Sequence, residues 1–464
     1  MKKSDAEITV IGGGLAGCEA AWRAARMGVG VKLYEMKPHR YSPAHRNENL
    51  AELVCSNSLR AKSLENASGI LKRELELLDS IVIESAHAHR IPAGGALAVD
   101  REAFAREITG RVAAHPLIEV IRAEVAELDV SFPAVIATGP LTSDAFSTAL
   151  RQVTGREKLF FYDAISPIIY TDSIDMNVAF RASRYGKGGD DYINLPMDEE
   201  QYYRLVREIK RADEVEPHSF EDTKIFEGCL PVEVMVRRGE DTLAFGPLKP
   251  VGLDDPETGK THHAVLQLRQ ENSEGTLHNM VGFQTRLKQG EQERVFRMIP
   301  GLENARFARY GSMHRNTYID APRLLLPTLE LKRRSGLFVA GQLVGVEGYV
   351  ESAAMGIIAG LNAALLASGE GPQVPPRESA LGSLIFYITD SGVIEFQPMN
   401  INFGIMPGAP RGVRKRDRKR YLAKRALSAM ETWVDRIERL KDIIKPGEDD
   451  TSIPNDVDSN QEAP

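Results

Sequence analysis

The chain has 464 residues, 42% apolar and 27% charged, with 39 glycines and 25 prolines; at about 100–200 residues per domain it is a multidomain globular chain, which excludes a small module, a collagen, a coiled coil or a disordered polymer. The formal net charge of −7, taken over the whole chain, argues against a nucleic-acid partner. Three cysteines, Cys18, Cys55 and Cys229, are spaced for neither a disulfide framework nor a zinc site, so free thiols in a reducing compartment are expected.

Residues 8–11 are apolar and run straight into glycines and a charged helix, which predicts a buried strand and no signal peptide. Residues 15–27 pattern as an Ala-rich helix and residues 29–34 as an alternating strand, giving a βαβ unit. Between strand and helix lies Gly12-Gly13-Gly14-Leu15-Ala16-Gly17, and Glu35 ends the second strand. This is a GxGxxG motif in the context it requires for a dinucleotide. Gly12 permits the tight turn, Gly14 lets the backbone approach a pyrophosphate, and Gly17 lets helix and strand pack closely. The helix N-terminus faces the phosphates, and Glu35 is placed to accept from the adenosine ribose hydroxyls. Cys18, one residue past the third glycine, reads as a core residue.

Strand signals at residues 134–137 and 337–340 are each followed by glycine, which predicts one α/β sheet assembled from segments far apart in the chain. Residues 166–283, with strand-like runs such as 167–171 and an amphipathic helix over 199–211, read as an inserted α+β domain. The expected order is therefore 1–165 as the first part of the dinucleotide domain, 166–283 as the insertion, 284–446 as the second part with a C-terminal basic helix, and 447–464 as an acidic, disordered tail. Gly341, Gln342, Gly345, Gly348 and Tyr349 lie between the strand at 337–340 and a helix over 350–367, forming a second strand, glycine loop and helix. A nicotinamide enzyme has no need of a second such unit. A flavin does, because a helix N-terminus stabilises negative charge at the reduced ring, and FAD is the expected cofactor. Ala137-Thr138-Gly139 reads either as a third glycine contact or as a plain strand-ending turn. The longest apolar stretch, about residues 355–367, is short and glycine-rich, so no membrane span is expected and the protein should be soluble and cytoplasmic.

Charge is unevenly distributed. From Glu448 onward there are six acids and no Lys or Arg, which accounts for nearly all of the net charge. Residues 411–425 hold nine bases, Arg414, Lys415, Arg418 and Lys419 among them, against the single acid Asp417. That run, entering a helix over 415–444, reads as a solvated face or a phosphate-binding face. Cys55 and Cys229 sit in loop-like contexts beside polar residues, where a thiolate can be stabilised, and spacing alone leaves both open. His87/His89 and His262/His263 have no matching acidic or Cys cluster, so no metal is expected.

Several stretches together resemble one family: residues 11–35, 52–58 (Glu-Leu-Val-Cys-Ser-Asn-Ser), 92–101 (Pro-Ala-Gly-Gly-Ala-Leu-Ala-Val-Asp-Arg), 226–231 (Phe-Glu-Gly-Cys-Leu-Pro), 281–285, 313–317 and 396–400 with the basic helix. They are similar to the bacterial folate- and FAD-dependent tRNA uracil-C5 methyltransferases, the TrmFO family, over everything except the tail. The resemblance implies an FAD domain of the glutathione-reductase type and C5-methylation of a T-loop uridine to ribothymidine. It also implies methylenetetrahydrofolate as carbon donor and NADH or NADPH as reductant of the flavin. It favours Cys229 as the thiol that adds to uracil C6 and Cys55 as its partner in removing the C5 proton or shielding the nucleophile. His314, Arg315 and Asn316, just upstream of the second flavin loop, would bind pterin or the base edge, or serve the fold. Arg237/Arg238 and Arg286/Lys288 join the basic helix as RNA-phosphate candidates. The expected partners are tRNA, folate and a nicotinamide dinucleotide, with no DNA and no membrane. The alternatives are the same chemistry on ribosomal RNA, a wobble-uridine modification like that of the related MnmG (GidA) flavoproteins, and a flavin oxidoreductase or non-catalytic RNA binder.

Overall fold

The computed structural model describes residues 6–155, 159–215, 230–393 and 395–444; the tail lies outside the described residues. Five strands form one parallel sheet in the order Leu337–Val339, Ala134–Ile136, Glu7–Ile11, Gly30–Glu35, Ile118–Arg122. Ile8, Val10, Ala134, Val135 and Phe338 are buried, as expected for a sheet covered on both faces. Helix Leu15–Arg26 runs along helix Tyr349–Ala367 at backbone contact: a Cβ at Gly356 or Gly360 would collide with the carbonyl oxygens of Ala16 and Ala20. Small residues thus bring both helix N-termini to one end of the sheet. Contrary to the expectation from sequence, helix Tyr349–Ala367 is long and apolar enough to cross a membrane by length and composition, with mean hydropathy 1.6. Its apolar window is 83% buried inside the protein, so that composition serves the core.

The second body is a six-stranded antiparallel sheet, ordered Phe180–Arg181, Tyr192–Met197, Ala264–Gln270, Leu277–Met280, Ile168–Tyr170, Phe307–Arg309. Helix Glu199–Arg211 starts on a capping box between Asp198 and Gln201 and buries Tyr202, Leu205, Val206 and Ile209. The same core takes in Val295, Phe296, Ile299 and Leu302, so this body runs to Arg309 and the boundary expected at Phe283 falls inside a packed cluster. Texture could not place that limit, because helix Gln289–Phe296 looks like any amphipathic segment. An antiparallel ribbon, Leu159–Ile165 with Ser312–Tyr318, carries the chain in and out of the second body.

The seam between the bodies is charged and hydrogen-bonded. Arg101 donates to Glu271 Oε2 at 2.7 Å and to the Leu53 carbonyl at 2.9 Å, and Arg269 donates to Asn57 Oδ1 at 2.9 Å and Ser56 Oγ at 2.8 Å. Asp100 accepts from Ser273 through both its backbone N–H and its hydroxyl. Residues 53–57 and 100–101, prominent in the sequence, are therefore among the parts of the first body that grip the second, with Gly94 N–H donating to Asp191 and the Tyr192 hydroxyl donating to the Ala93 carbonyl. Glu271 is 3% exposed, and Arg101→Ala would strip its carboxylate of its hydrogen-bond donors and leave it buried with only the nearby charge of Arg269. That variant is expected to lose about 3–5 kcal/mol of stability in urea unfolding.

The C-terminal helix Arg418–Ile444 follows a short turn at Lys415–Asp417. It buries Ala423, Ala426, Met430, Trp433 and Ile437 at helical spacing on the first core, which leaves the basic residues of its first turn on the outer face.

Candidate active site in the dinucleotide cavity

A cavity of about 1090 Å³, including its part open to solvent, lies where the two helix N-termini meet. Gly12, Gly13, Gly14, Leu15 and Ala16 line it from the first glycine loop, and Glu35 from the end of the second strand. Gly341, Gln342 and Tyr349 line it from the second loop, and Ala137-Thr138-Gly139 from a third. Gly12 has φ +104, and a Cβ there would stand 2.5 Å from the Ala137 carbonyl oxygen, so only glycine makes this turn. Gly14 has an ordinary φ of −73, and a Cβ built on it meets no protein atom within 4 Å. Gly348, expected on the cofactor, does not line the cavity, and neither does Gly17, counted with the glycine motif but expected to serve the packing of helix and strand. A Cβ at Gly17 would collide with the Gly12 carbonyl oxygen, and one at Gly348 with the Glu351 carboxylate, so both shape the loops from behind.

The residues present fit a bound FAD. Helix Leu15–Arg26 begins without a side-chain cap and with no acid in its first turn, which leaves its first N–H groups and positive dipole end for a pyrophosphate. Glu35 braces the loop, accepting from Gly13 N–H at 2.8 Å and Lys37 N–H at 2.9 Å, and each carboxylate oxygen retains a lone pair for a ribose hydroxyl. At the other end, Gln342 donates to Glu347, whose N–H in turn donates to the Met399 carbonyl. Phe396 lies against Gly345, so the stretch 396–400 singled out in the sequence buttresses the second glycine loop. Sequence reasoning missed Lys37, which lines the cavity and donates to Glu52 at 3.2 Å, because the partners come together only through the fold.

Behind Tyr349, outside the cavity lining itself, stands Cys55. The Tyr349 hydroxyl accepts from Cys55 N–H at 2.8 Å and Ser56 N–H at 3.2 Å, fastening the Cys55 loop to the second glycine loop. Cys55 is free and half-buried. Burial pushes its thiol well up and the charge of Asp163 adds to this, while Arg101 and Arg309 pull the other way. Cys18 is fully buried with its Sγ toward the Gly13 carbonyl, a core thiol also pushed up by burial. Cys229 and residues 226–228 lie outside the described residues. The helix that follows, Val232–Arg238, is held by Val232 N–H to the Gln284 carbonyl at 2.8 Å and by buried Glu233, which accepts from Thr285 Oγ1 and Arg286 N–H.

His314, Arg315 and Asn316 occupy the ribbon strand Ser312–Tyr318, opposite Asp163, Tyr162 and Phe161. Directly after Asn316, Thr317 N–H donates to the carbonyl of Pro140, which lines the cavity, and just past the strand Ile319 N–H donates to the Leu343 carbonyl in the second glycine loop. Burial, with Arg309, Arg46 and His45 nearby, pushes the His314 imidazole down to about 4, so at neutral pH it is an uncharged ring bonded to Ser312 Oγ. The RNA candidates separate into two groups. Arg286 and Arg237 pair with Glu214, and Lys288 with Asp213, so these cations are neutralised within the fold. Arg414, Lys415, Arg418 and Lys419 are exposed but line no part of the cavity. The histidine pairs have other roles: His87 bonds Glu76, His89 bonds Glu107, His262 stacks on Phe180 and His263 packs against Tyr202.

Residues 7–371 match the family described as glucose inhibited division protein A. Among curated proteins, the chain is 58% identical over 429 residues to one from Citrifermentans bemidjiense, covering 92% of this chain and 98% of the relative, and 55% identical over 429 residues to one from Natranaerobius thermophilus, covering 92% and 99%. Both relatives are named methylenetetrahydrofolate–tRNA-(uracil-5-)-methyltransferase TrmFO. Among solved structures, GidA of Aquifex aeolicus superposes with a TM-score of 0.68 at 20% identity, covering 94% of this chain and 73% of that one, a likeness of fold.

Proposed function

The chain belongs to the glucose inhibited division protein A family and, within it, to the TrmFO proteins, and from that premise we propose that it methylates C5 of a uridine in tRNA, taking the carbon from methylenetetrahydrofolate and using bound FAD. The observation that carries the reading is the hydrogen bonding of the Cys55 loop to Tyr349, which joins a thiol to the wall of a cavity shaped for FAD. The wobble-uridine alternative is disfavoured because the chain is 55–58% identical to relatives named as uracil-5-methyltransferases.

The residues divide the work as follows. Gly12–Gly14 and the helix start at Leu15 would hold the pyrophosphate, Glu35 the ribose, and Gly341, Gln342 and Tyr349 would line the ring's end of the cavity. Bound there, FAD would supply the electrons, drawn from NADH or NADPH, that bring the one-carbon unit to the level of a methyl group. The chain's own part is to make C5 nucleophilic: the Cys229 thiolate adds to C6, and the electron pair moves to C5. Cys55, its thiol pushed up by burial, gives up its own proton to solvent before accepting the one from C5, and the C5–H electron pair then expels the Cys229 thiolate from C6. The uncharged His314 ring offers a stacking face and a hydrogen bond to pterin or base. The free thiols of Cys18 and Cys55 and these substrates support a cytoplasmic location.

The target uridine must leave its stack to reach this cleft, and phosphate contacts supply much of the affinity for that. Alanine at Arg414, Lys415, Arg418 and Lys419 is expected to weaken RNA binding and flatten its log–log salt dependence by roughly 0.7–0.9 per lost phosphate contact, with flavin content unchanged. Filter binding at several salt concentrations measures both; an unchanged slope would make this helix a solvated face. The function itself is tested by incubating the protein with labelled methylenetetrahydrofolate, NADPH and unmodified tRNA or ribosomal RNA, followed by nucleoside analysis. Label in ribothymidine of tRNA is the expected outcome. Label only in ribosomal RNA would move the substrate, and label at a wobble uridine would replace the reading.

A further inference from the structure

The seam between the bodies holds a guanidinium that the fold does not pair. Arg309 ends the strand Phe307–Arg309 at a register shift against Ile168. It is half-buried, and its Nε is enclosed with no hydrogen-bond partner. No salt bridge reaches it among the described residues, whereas Arg101 in the same seam has Glu271. Arg46 stands exposed on the facing loop; its backbone N–H donates to Glu52, and its guanidinium likewise has no carboxylate partner among the described residues. The two cations lie close enough to repel each other and to depress His314 together. Like charges are not gathered in a half-buried seam, with donors unsatisfied, for stability; each feature costs free energy unless an anion meets them.

We propose that Arg309, with Arg46 at the rim, grips the backbone phosphate next to the target uridine, and so fixes the base against the thiol. This rests on the RNA-methylation reading above. The choice of anion follows from position: Arg309 shares its electrostatic surroundings with Cys55 and Tyr349, so the anion lies close to the reacting base. A nucleotide carries its phosphate one sugar away from its base. The carboxylates of a folate lie a whole aminobenzoyl spacer beyond the pterin and are too remote. A planar guanidinium also suits the bidentate geometry of a phosphate.

The test is a cycle between protein and RNA. Synthetic T-arm RNAs carrying one uncharged methylphosphonate, either 5′ or 3′ of the target uridine, are compared with the all-phosphate RNA on the wild-type protein and on Arg309→Gln. Affinity and single-turnover rate are both read. For one of the two linkages, wild type is expected to lose about tenfold in affinity, and Arg309→Gln to lose nothing further from the same modification. The salt slope of Arg309→Gln on native RNA should fall by roughly 0.7–0.9. Arg309→Lys, which keeps the charge without the fork, should recover part of the affinity, and an unchanged flavin spectrum reports that the variants are folded. Equal losses in wild type and Arg309→Gln would overturn the proposal. So would a raised KM for methylenetetrahydrofolate with RNA affinity intact, which would assign the anion to the folate. Absence of methyl transfer by the wild type on native RNA is a separate outcome that counts against the RNA-methylation reading itself.

Discussion

Gly14→Val is expected to purify folded and colourless. A side chain at this position meets no protein atom within 4 Å, and φ −73 is ordinary for valine. Nothing in the fold resists the substitution. The new methyl groups instead occupy the space in front of the uncapped helix N-terminus, where the pyrophosphate must come within hydrogen-bond distance of backbone N–H groups. Flavin content should fall at least tenfold, a loss of about 1.4 kcal/mol or more in binding, while the far-ultraviolet circular dichroism stays that of wild type. Gly17→Ala provides the contrast, because its Cβ would run into the Gly12 carbonyl and break the turn itself; there soluble protein, and not only colour, should be lost. Full flavin in a folded Gly14→Val protein would remove the basis for placing the cofactor in this cavity.

Cys229→Ala should keep its flavin and lose methyl transfer. Removing a nucleophile deletes the step that makes C5 reactive, so the single-turnover rate at saturating RNA should drop by at least about a thousandfold while RNA affinity is little changed. Cys55→Ala removes a proton holder, and its rate should fall by about a hundredfold. The Cys55 thiol is pushed up by burial, so activity limited by its deprotonation should rise with pH through and above neutrality, and the Cys55→Ala variant should lose that rise. Cys18→Ala should cost on the order of 1 kcal/mol of stability and leave the rate unchanged. A Cys229→Ala protein with the wild-type single-turnover rate would give the attack to another group.

What could be read from the sequence was local or repeated. The strand, glycine loop and helix at residues 7–26 and again at 337–367 are contiguous segments, each with a chemical reason for every glycine, and their convergence follows from parallel sheet topology. The helix Glu199–Arg211 carries its apolar stripe within thirteen contiguous residues, with its cap, Asp198, directly before them. What could not be read depends on residues that meet only after folding. Arg101 and Glu271 are 170 positions apart, and neither belongs to a motif that names the other. Phe396 is needed where it is because it covers Gly345, a contact with no periodic signature. Gly348 looked like a cofactor contact because it stands in the same kind of glycine loop, yet it serves the helix start from behind. Arg309, an ordinary strand residue in sequence, becomes conspicuous only once the fold has denied it a carboxylate.

The central claim is that a thiol of this chain adds to a uridine of RNA within the flavin cleft. It is tested most directly by mixing the reduced flavoprotein and methylenetetrahydrofolate with T-arm RNA carrying 5-fluorouridine, whose C5 fluorine blocks the proton loss that would release the enzyme, and mapping any covalent RNA–peptide adduct by mass. The account predicts an adduct on the peptide containing Cys229, absent in Cys229→Ala. An adduct on Cys55 would exchange the two thiols' roles, and no adduct together with full activity in the Cys55→Ala, Cys229→Ala double variant would contradict thiol catalysis in this protein.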